Sequence, residues 1–248
     1  MKRLALVFCL LALFTLAGCG FRQEKLPEAP AEQEHMEVPV EREPPAPPTE
    51  MEPEPVPEVE PKAEDFVRVA DYIPDILVEL RYATEDNFTG EVIYDFTDAC
   101  LRYGTVKKLS AVQAALTEQG YGLKIWDAFR PVSAQFTLWD ICPDGRYVAD
   151  PNKGFSSHSR GNTVDLTLVT LNGGEVVMPT GFDDFSAKAD RDYSDVSEEA
   201  AANALLLETA MQEGGFKPYS GEWWHFSDTD SYDVENTFEL EDLASKGE

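Results

Sequence analysis

The stretch Ser156-Ser157-His158-Ser159-Arg160-Gly161-Asn162-Thr163-Val164-Asp165 runs directly into Leu166-Thr167-Leu168-Val169. From Val164 onward, apolar Val164, Leu166 and Leu168 alternate with Asp165 and Thr167, the pattern of a strand with one polar face. A loop therefore feeds a strand, and Gly161 allows the sharp turn between them. The answering stretch is Glu222-Trp223-Trp224-His225, aromatic-rich and read as a last strand reaching Ser227. Of the three histidines in the chain, His35 lies in a segment too polar to fold, which leaves His158 and His225. With Asp165 they make a natural ligand set for a divalent metal. Three protein ligands leave a fourth position for water or substrate, the arrangement of a catalytic site, and bound water ionises near neutral pH. Glu222 and His225 are three residues apart, so a regular strand would point them to opposite faces. A bulge or loop at Trp223-Trp224 is needed if both are to serve one site.

Outward from this centre, the spacing of Val106, Leu109, Val112 and Leu116 predicts a helix over 105–119, closed by Gly120. Leu123 to Trp126 reads as a buried strand. Asp127-Ala128-Phe129-Arg130-Pro131 follows as a loop, and Pro131 can open a helix running to about Ile141. Leu171-Asn172-Gly173-Gly174 reads as a turn into a return strand at Val176-Val177, a hairpin. Ser197 is placed to cap a helix with Glu198 and Glu199 in its first turn, ended by Gly214-Gly215. Helices separated by strands and hairpins predict one α+β domain, an antiparallel sheet flanked by helices.

The N-terminus reads as an address. Lys2-Arg3 precede a mostly apolar run from Leu4 to Leu16, short for a membrane span but suited to a signal peptide. Leu16-Ala17-Gly18-Cys19 resembles a bacterial lipobox, which makes residues 1–19 a lipoprotein signal and Cys19 the lipidation site. The expected location is the cell membrane, lipid-anchored and extracytoplasmic. Residues 20–64, rich in Pro and Glu, cannot bury enough to offset chain entropy and read as a disordered acidic tether. Residues 65–248 form the expected domain, large enough for a sizeable core. The net charge of −27 and the lack of Lys/Arg clusters beyond the N-terminus argue against nucleic acid. Cys100 and Cys142 are either a disulfide pair or two small buried side chains.

Each candidate also has an ordinary structural reading. Trp223 and Trp224 suit a core, and Glu222 is one acid among many. Arg130, held between Phe129 and Pro131, can stabilise an oxyanion on a carbonyl or simply pair with Asp127. The histidines and Asp165 gain weight as a set.

The set Ser156-x-His158-x-x-Gly161-x-x-x-Asp165 with Glu222-x-x-His225 resembles the zinc D,D-peptidases acting on peptidoglycan-type peptides. The fuller resemblance is to the D-alanyl-D-alanine dipeptidases of the vancomycin-resistance type. Arg81-Tyr82-Ala83-Thr84, Asn87-Phe88-Thr89-Gly90, Gly120 to Leu123, Trp126-Asp127-x-x-Arg130-Pro131, Asp165 to Leu168 and Phe182-Asp183 carry it, over roughly residues 70–235. The resemblance implies the zinc D,D-peptidase (hedgehog/DD-peptidase-like) fold and one Zn2+ held by His158, Asp165 and His225. It implies Glu222 as general base and Arg130 as stabiliser of the tetrahedral intermediate. Tyr82, Ser156 and Asp183 match positions around a small substrate, Asp183 facing its ammonium, and Asp127 matches a partner behind the ligands. The implied reaction is hydrolysis of D-Ala-D-Ala to two D-alanines. A D,D-carboxypeptidase or other wall-peptide hydrolase, or a zinc-stabilised wall-binding module, is the alternative. Thr163 departs from the alanine usual in the motif, and the signal and tether depart from members that act inside the cell.

Overall fold

The computed structural model describes residues 60–238 and residue 243. The signal sequence, Cys19 and the tether up to residue 59 lie outside the described residues. In chain order the strands are β1 (Phe66–Arg68), β2 (Leu77–Val78), β3 (Cys100–Arg102), β4 (Tyr121–Asp127), β5 (Thr163–Thr170), β6 (Phe216–Pro218) and β7 (His225–Asp228). The helices are α1 (Tyr103–Thr117), α2 (Val132–Ile141) and α3 (Glu198–Glu213). A five-stranded sheet runs β2-β4-β5-β7-β6, antiparallel except for the parallel β2-β4 pair, and β1 pairs with β3 in a separate ribbon.

The leucine face of the sheet follows from alternation. Leu123, Ile125, Leu166, Leu168 and Phe226 are buried, and α1 and α3 pack against each other and against the sheet. Leu123 N–H donates to the Gln113 side-chain oxygen of α1 at 2.9 Å. Asp228 of β7 accepts from Thr105 of α1 at 2.7 Å and pairs with Lys108. Ser197 caps α3 through Ala200 N–H, as its position predicts.

The register then shifts. Ile125 pairs with Leu166, but Asp127 rather than Trp126 pairs with Asp165, so β4 carries one extra residue at Trp126. Such a bulge reverses which face the following side chain takes. Asp127 therefore leaves the leucine face and joins Asp165 on the other side. Asp165 in turn pairs with His225. One row crosses three strands: Asp127, Asp165, His225.

Two expectations change. The predicted return strand at Val176-Val177 is reduced to a single bridge, Val169 to Glu175, because the chain departs towards Pro179 after a turn at Gly173. The last strand starts at His225 rather than Glu222. Residues 222–224 form a turn, with Trp223 and Trp224 buried in the core. Cys100 and Cys142 are free, and burial pushes the Cys100 thiol up to about 12. Asn87 is occupied in its own loop, its amide donating to the Thr84 and Glu91 carbonyls at 2.7 and 2.8 Å. Before Asp65, Glu60 accepts from the Tyr103 hydroxyl at 2.7 Å and Ala63 O accepts from Gly104 N–H at 3.0 Å.

Candidate active site

His158 is set by a short 3-10 helix, Ser157–Arg160. The Ser156 hydroxyl accepts from His158 N–H at 3.3 Å and starts it. Gly161 ends it in the left-handed region at φ 71, and a Cβ there would stand 2.3 Å from the Phe66 ring. The loop is also tied from behind, where Ser159 O accepts from Glu235 N–H at 2.8 Å. The His158 ring is buried, and its Nδ1 lies 2.8 Å from the Ala128 carbonyl. A carbonyl can only accept, so Nδ1 carries the proton and Nε2 keeps its lone pair. That Nε2 lies 3.3 Å from Asp165 Oδ2.

His225 begins β7 immediately after the turn, with its Nδ1 2.9 Å from Asp165 Oδ1 and 3.6 Å from Glu222 Oε2. The turn lets Glu222 and His225 share a site despite their spacing. Asp165 Oδ1 is buried and has no hydrogen-bond partner, although an imidazole nitrogen lies so near. An orphaned carboxylate oxygen in the interior is costly unless something fills the gap. Ligand atoms of His158, Asp165 and His225 lie within 4.8 Å of one another. The His158–Asp165 spacing matches the roughly 3.4 Å between tetrahedral ligands on bonds of about 2.1 Å. The donor set, the spacing and the orphaned oxygen all fit a divalent metal.

Electrostatics point the same way. Burial would raise the Asp165 carboxyl, but the two imidazoles outweigh it and hold the group well below the usual range. Burial would lower His158, but Asp165 and Asp127 outweigh it and raise it. A concentration of negative charge around two imidazoles is what a cation site requires. Glu222 is raised, first by burial, with Asp165 adding to the shift against the opposing pull of His225.

Arg130 sits in the loop that closes β4. Asp127 Oδ2 accepts from its Nε at 3.1 Å and its Nη2 at 2.6 Å, and Gln135 Oε1 accepts from Nη1 at 2.9 Å. The pair with Asp127 is thus buried rather than on the surface. Burial opposes the charge on Arg130, but Asp127 outweighs it and keeps the guanidinium firmly protonated. Asp127 also accepts from the Tyr94 hydroxyl at 2.8 Å. Tyr82, stacked beneath Arg130, donates to Asp183 at 2.7 Å. Burial pushes Asp183 up to about 7.

Tyr82, Arg130, Ser156, His158, Asp165, Asp183, Glu222 and His225 all line one cavity of about 300 Å³. Asp127 stands behind it, buried. The structure thus brings together every site candidate within the described residues. Sequence reasoning missed Tyr94, Gln135, Tyr147 and Tyr219; the last two line the cavity and the first two hold Asp127 and Arg130. The tyrosines meet their partners from distant parts of the chain, and nothing in the pattern of α2 shows that Gln135 turns back to Arg130 five residues earlier.

Residues 62–241 match the Peptidase M15 family, described as D-ala-D-ala dipeptidase. The D-alanyl-D-alanine dipeptidase of Escherichia coli (strain K12) is 40% identical over 162 residues, covering 65% of this chain and 83% of that protein. The D-alanyl-D-alanine dipeptidase of Enterococcus faecium is 34% identical over 168 residues, covering 60% and 83%. A solved structure, VanYB in complex with D-Alanine-D-Alanine, is 16% identical with a TM-score of 0.36, covering 53% of this chain and 73% of that one.

Proposed function

This chain belongs to the Peptidase M15 family, and from that premise we propose that it is a zinc dipeptidase hydrolysing D-Ala-D-Ala to two D-alanines. The observation that carries the reading is the buried Asp165 carboxylate set between two imidazoles, with Glu222 beside them and Arg130 in the same cavity. Two nitrogens and one carboxylate are a zinc ligand set. Zinc held by His158, Asp165 and His225 would supply Lewis acidity towards a carbonyl oxygen and towards water.

The remaining steps belong to the chain. Glu222, raised by burial, accepts a proton from the attacking water and returns it to the leaving amine. Arg130 has five N–H donors and spends three on Asp127 and Gln135, which leaves one on each Nη for the charge developing on the substrate oxygen. Asp183, supported by Tyr82, receives the substrate ammonium. Ser156 fixes the His158 loop through its cap. A half-buried carboxylate facing the substrate cavity favours a free amino end, hence a dipeptide over an acylated wall peptide. The test is Glu222→Ala: metal content should be retained and D-alanine release lost, and release at the wild-type rate contradicts the assignment.

The same proposal places the enzyme outside the membrane, lipid-anchored through Cys19, on the strength of the lipobox and the acidic tether. Replacing Cys19 by Ser should shift the protein from the membrane to the soluble fraction. Unchanged membrane association and processing would contradict it.

A further inference from the structure

We propose that Gln135 is a positioning residue that couples Arg130 to the wall of the substrate cavity. The inference rests on the dipeptidase reading above. Gln135 is 1% exposed, and both ends of its amide are used. Its Oε1 accepts from Arg130 Nη1 at 2.9 Å, and its Nε2 donates to the Ala149 carbonyl at 2.8 Å. The acceptor end therefore faces the guanidinium and the donor end faces the loop over residues 142–150.

Asp127 holds Arg130 along its Nε and Nη2 side, with the Tyr82 ring beneath the guanidinium. Both bonds go to one oxygen, Oδ2, so the plane can still rock about it. Gln135 on Nη1 supplies the third point that fixes the plane, and so the direction of the two remaining N–H groups. The far end of the link is Ala149, which itself lines the cavity. Two residues before it, Tyr147 lines the same cavity, and its ring packs against Phe185 at 4.7 Å between centroids. Phe185 is two residues from Asp183, and Tyr147, Val148, Ala149 and Asp183 line one cavity, so the loop held by Gln135 forms part of the wall that Asp183 shares. One buried amide thus sets both the oxyanion donor and the neighbouring wall, two functions that separate by chemistry.

Gln135→Glu keeps the acceptor for Arg130 and, ionised beside a guanidinium, loses the donor to Ala149. Gln135→Met fills similar space and loses both. The measurement uses the full-length, zinc-loaded protein in detergent and D-Ala-D-Ala, with kcat and KM resolved and the melting midpoint recorded. Gln135→Met should lower kcat about tenfold or more, while Gln135→Glu should hold kcat within about threefold of wild type and raise KM. Wild-type kcat in Gln135→Met overturns the proposal, as does an equal loss of kcat in both variants, which assigns the effect to the loop alone. If Gln135→Met fails to fold, Gln135→Glu decides: retained kcat with raised KM supports the coupling, and a kcat loss of tenfold or more overturns it. Absence of turnover in the wild-type control would instead strike the dipeptidase reading itself.

Discussion

The Tyr82 hydroxyl donates a 2.7 Å hydrogen bond to the Asp183 carboxylate across 101 residues of sequence. Asp183 holds a left-handed backbone conformation, φ 55, which a non-glycine side chain adopts at a cost. A half-buried carboxylate on a strained backbone, braced by a distant tyrosine, is destabilising in itself. Recognition of a cation gives it a reason to persist.

That relation sets the pH dependence. Burial raises Asp183 to about 7, above its unfolded value of 3.8, so the folded state holds the extra proton between those limits. Stability contributed by this group therefore falls as pH rises from about 4 to 7, and the full penalty, at most about 4 kcal/mol, is present above 7. Asp183→Asn should raise the melting midpoint at pH 8 and leave it nearly unchanged at pH 4. A lower midpoint at pH 8 contradicts the assignment.

Substrate binding should run the opposite way. Asp183 must be ionised to meet an ammonium, so kcat/KM for D-Ala-D-Ala should climb as pH rises through about 7. In Asp183→Asn that rise should flatten and KM should increase, by about tenfold for the loss of a partly desolvated charge pair. A pH profile identical to wild type would remove Asp183 from substrate binding.

Arg130 should prove important to both rate and fold. Arg130→Ala strips the buried Asp127 of its cation, a loss of about 3–5 kcal/mol for one partner of a buried pair. Arg130→Lys keeps the charge without the fork, so thermal stability should recover in part while kcat stays down about 10²-fold. Recovery of kcat in the lysine variant would mean that charge alone suffices.

Metal removal should cost stability as well as turnover. Chelation removes a cation that binds only the folded arrangement of His158, Asp165 and His225, so the melting midpoint should drop and return when zinc is restored. Equal midpoints with and without metal, read by calorimetry, would contradict the ligand assignment.

Much of this site was legible because its chemistry is compressed into short stretches. Ser156, His158, Gly161 and Asp165 fall within one turn and one strand, and the scarcity of histidine singled out His225. The spacing of Glu222 and His225 even required the break that the turn over 222–224 supplies. The orientation of Asp127 was not legible. It depends on one extra residue at Trp126, and a register shift leaves no mark in a run of buried side chains. Tyr94 and Tyr147 were hidden for a related reason, that their partners come from elsewhere in the chain, and Gln135 because its amide turns back to Arg130 without any mark in the spacing of α2. The hairpin was over-read at Val176-Val177 because apolar residues after a glycine turn mimic a strand, whereas here Val176 packs on the core without continuing the ladder.

The most direct test of the account is release of free D-alanine by the full-length protein with zinc in detergent, from D-Ala-D-Ala and from an acylated stem pentapeptide in parallel. Release is expected from the dipeptide and none from the pentapeptide, because the Asp183 end demands a free ammonium. Release from the pentapeptide alone, or from neither substrate with zinc bound, would contradict it.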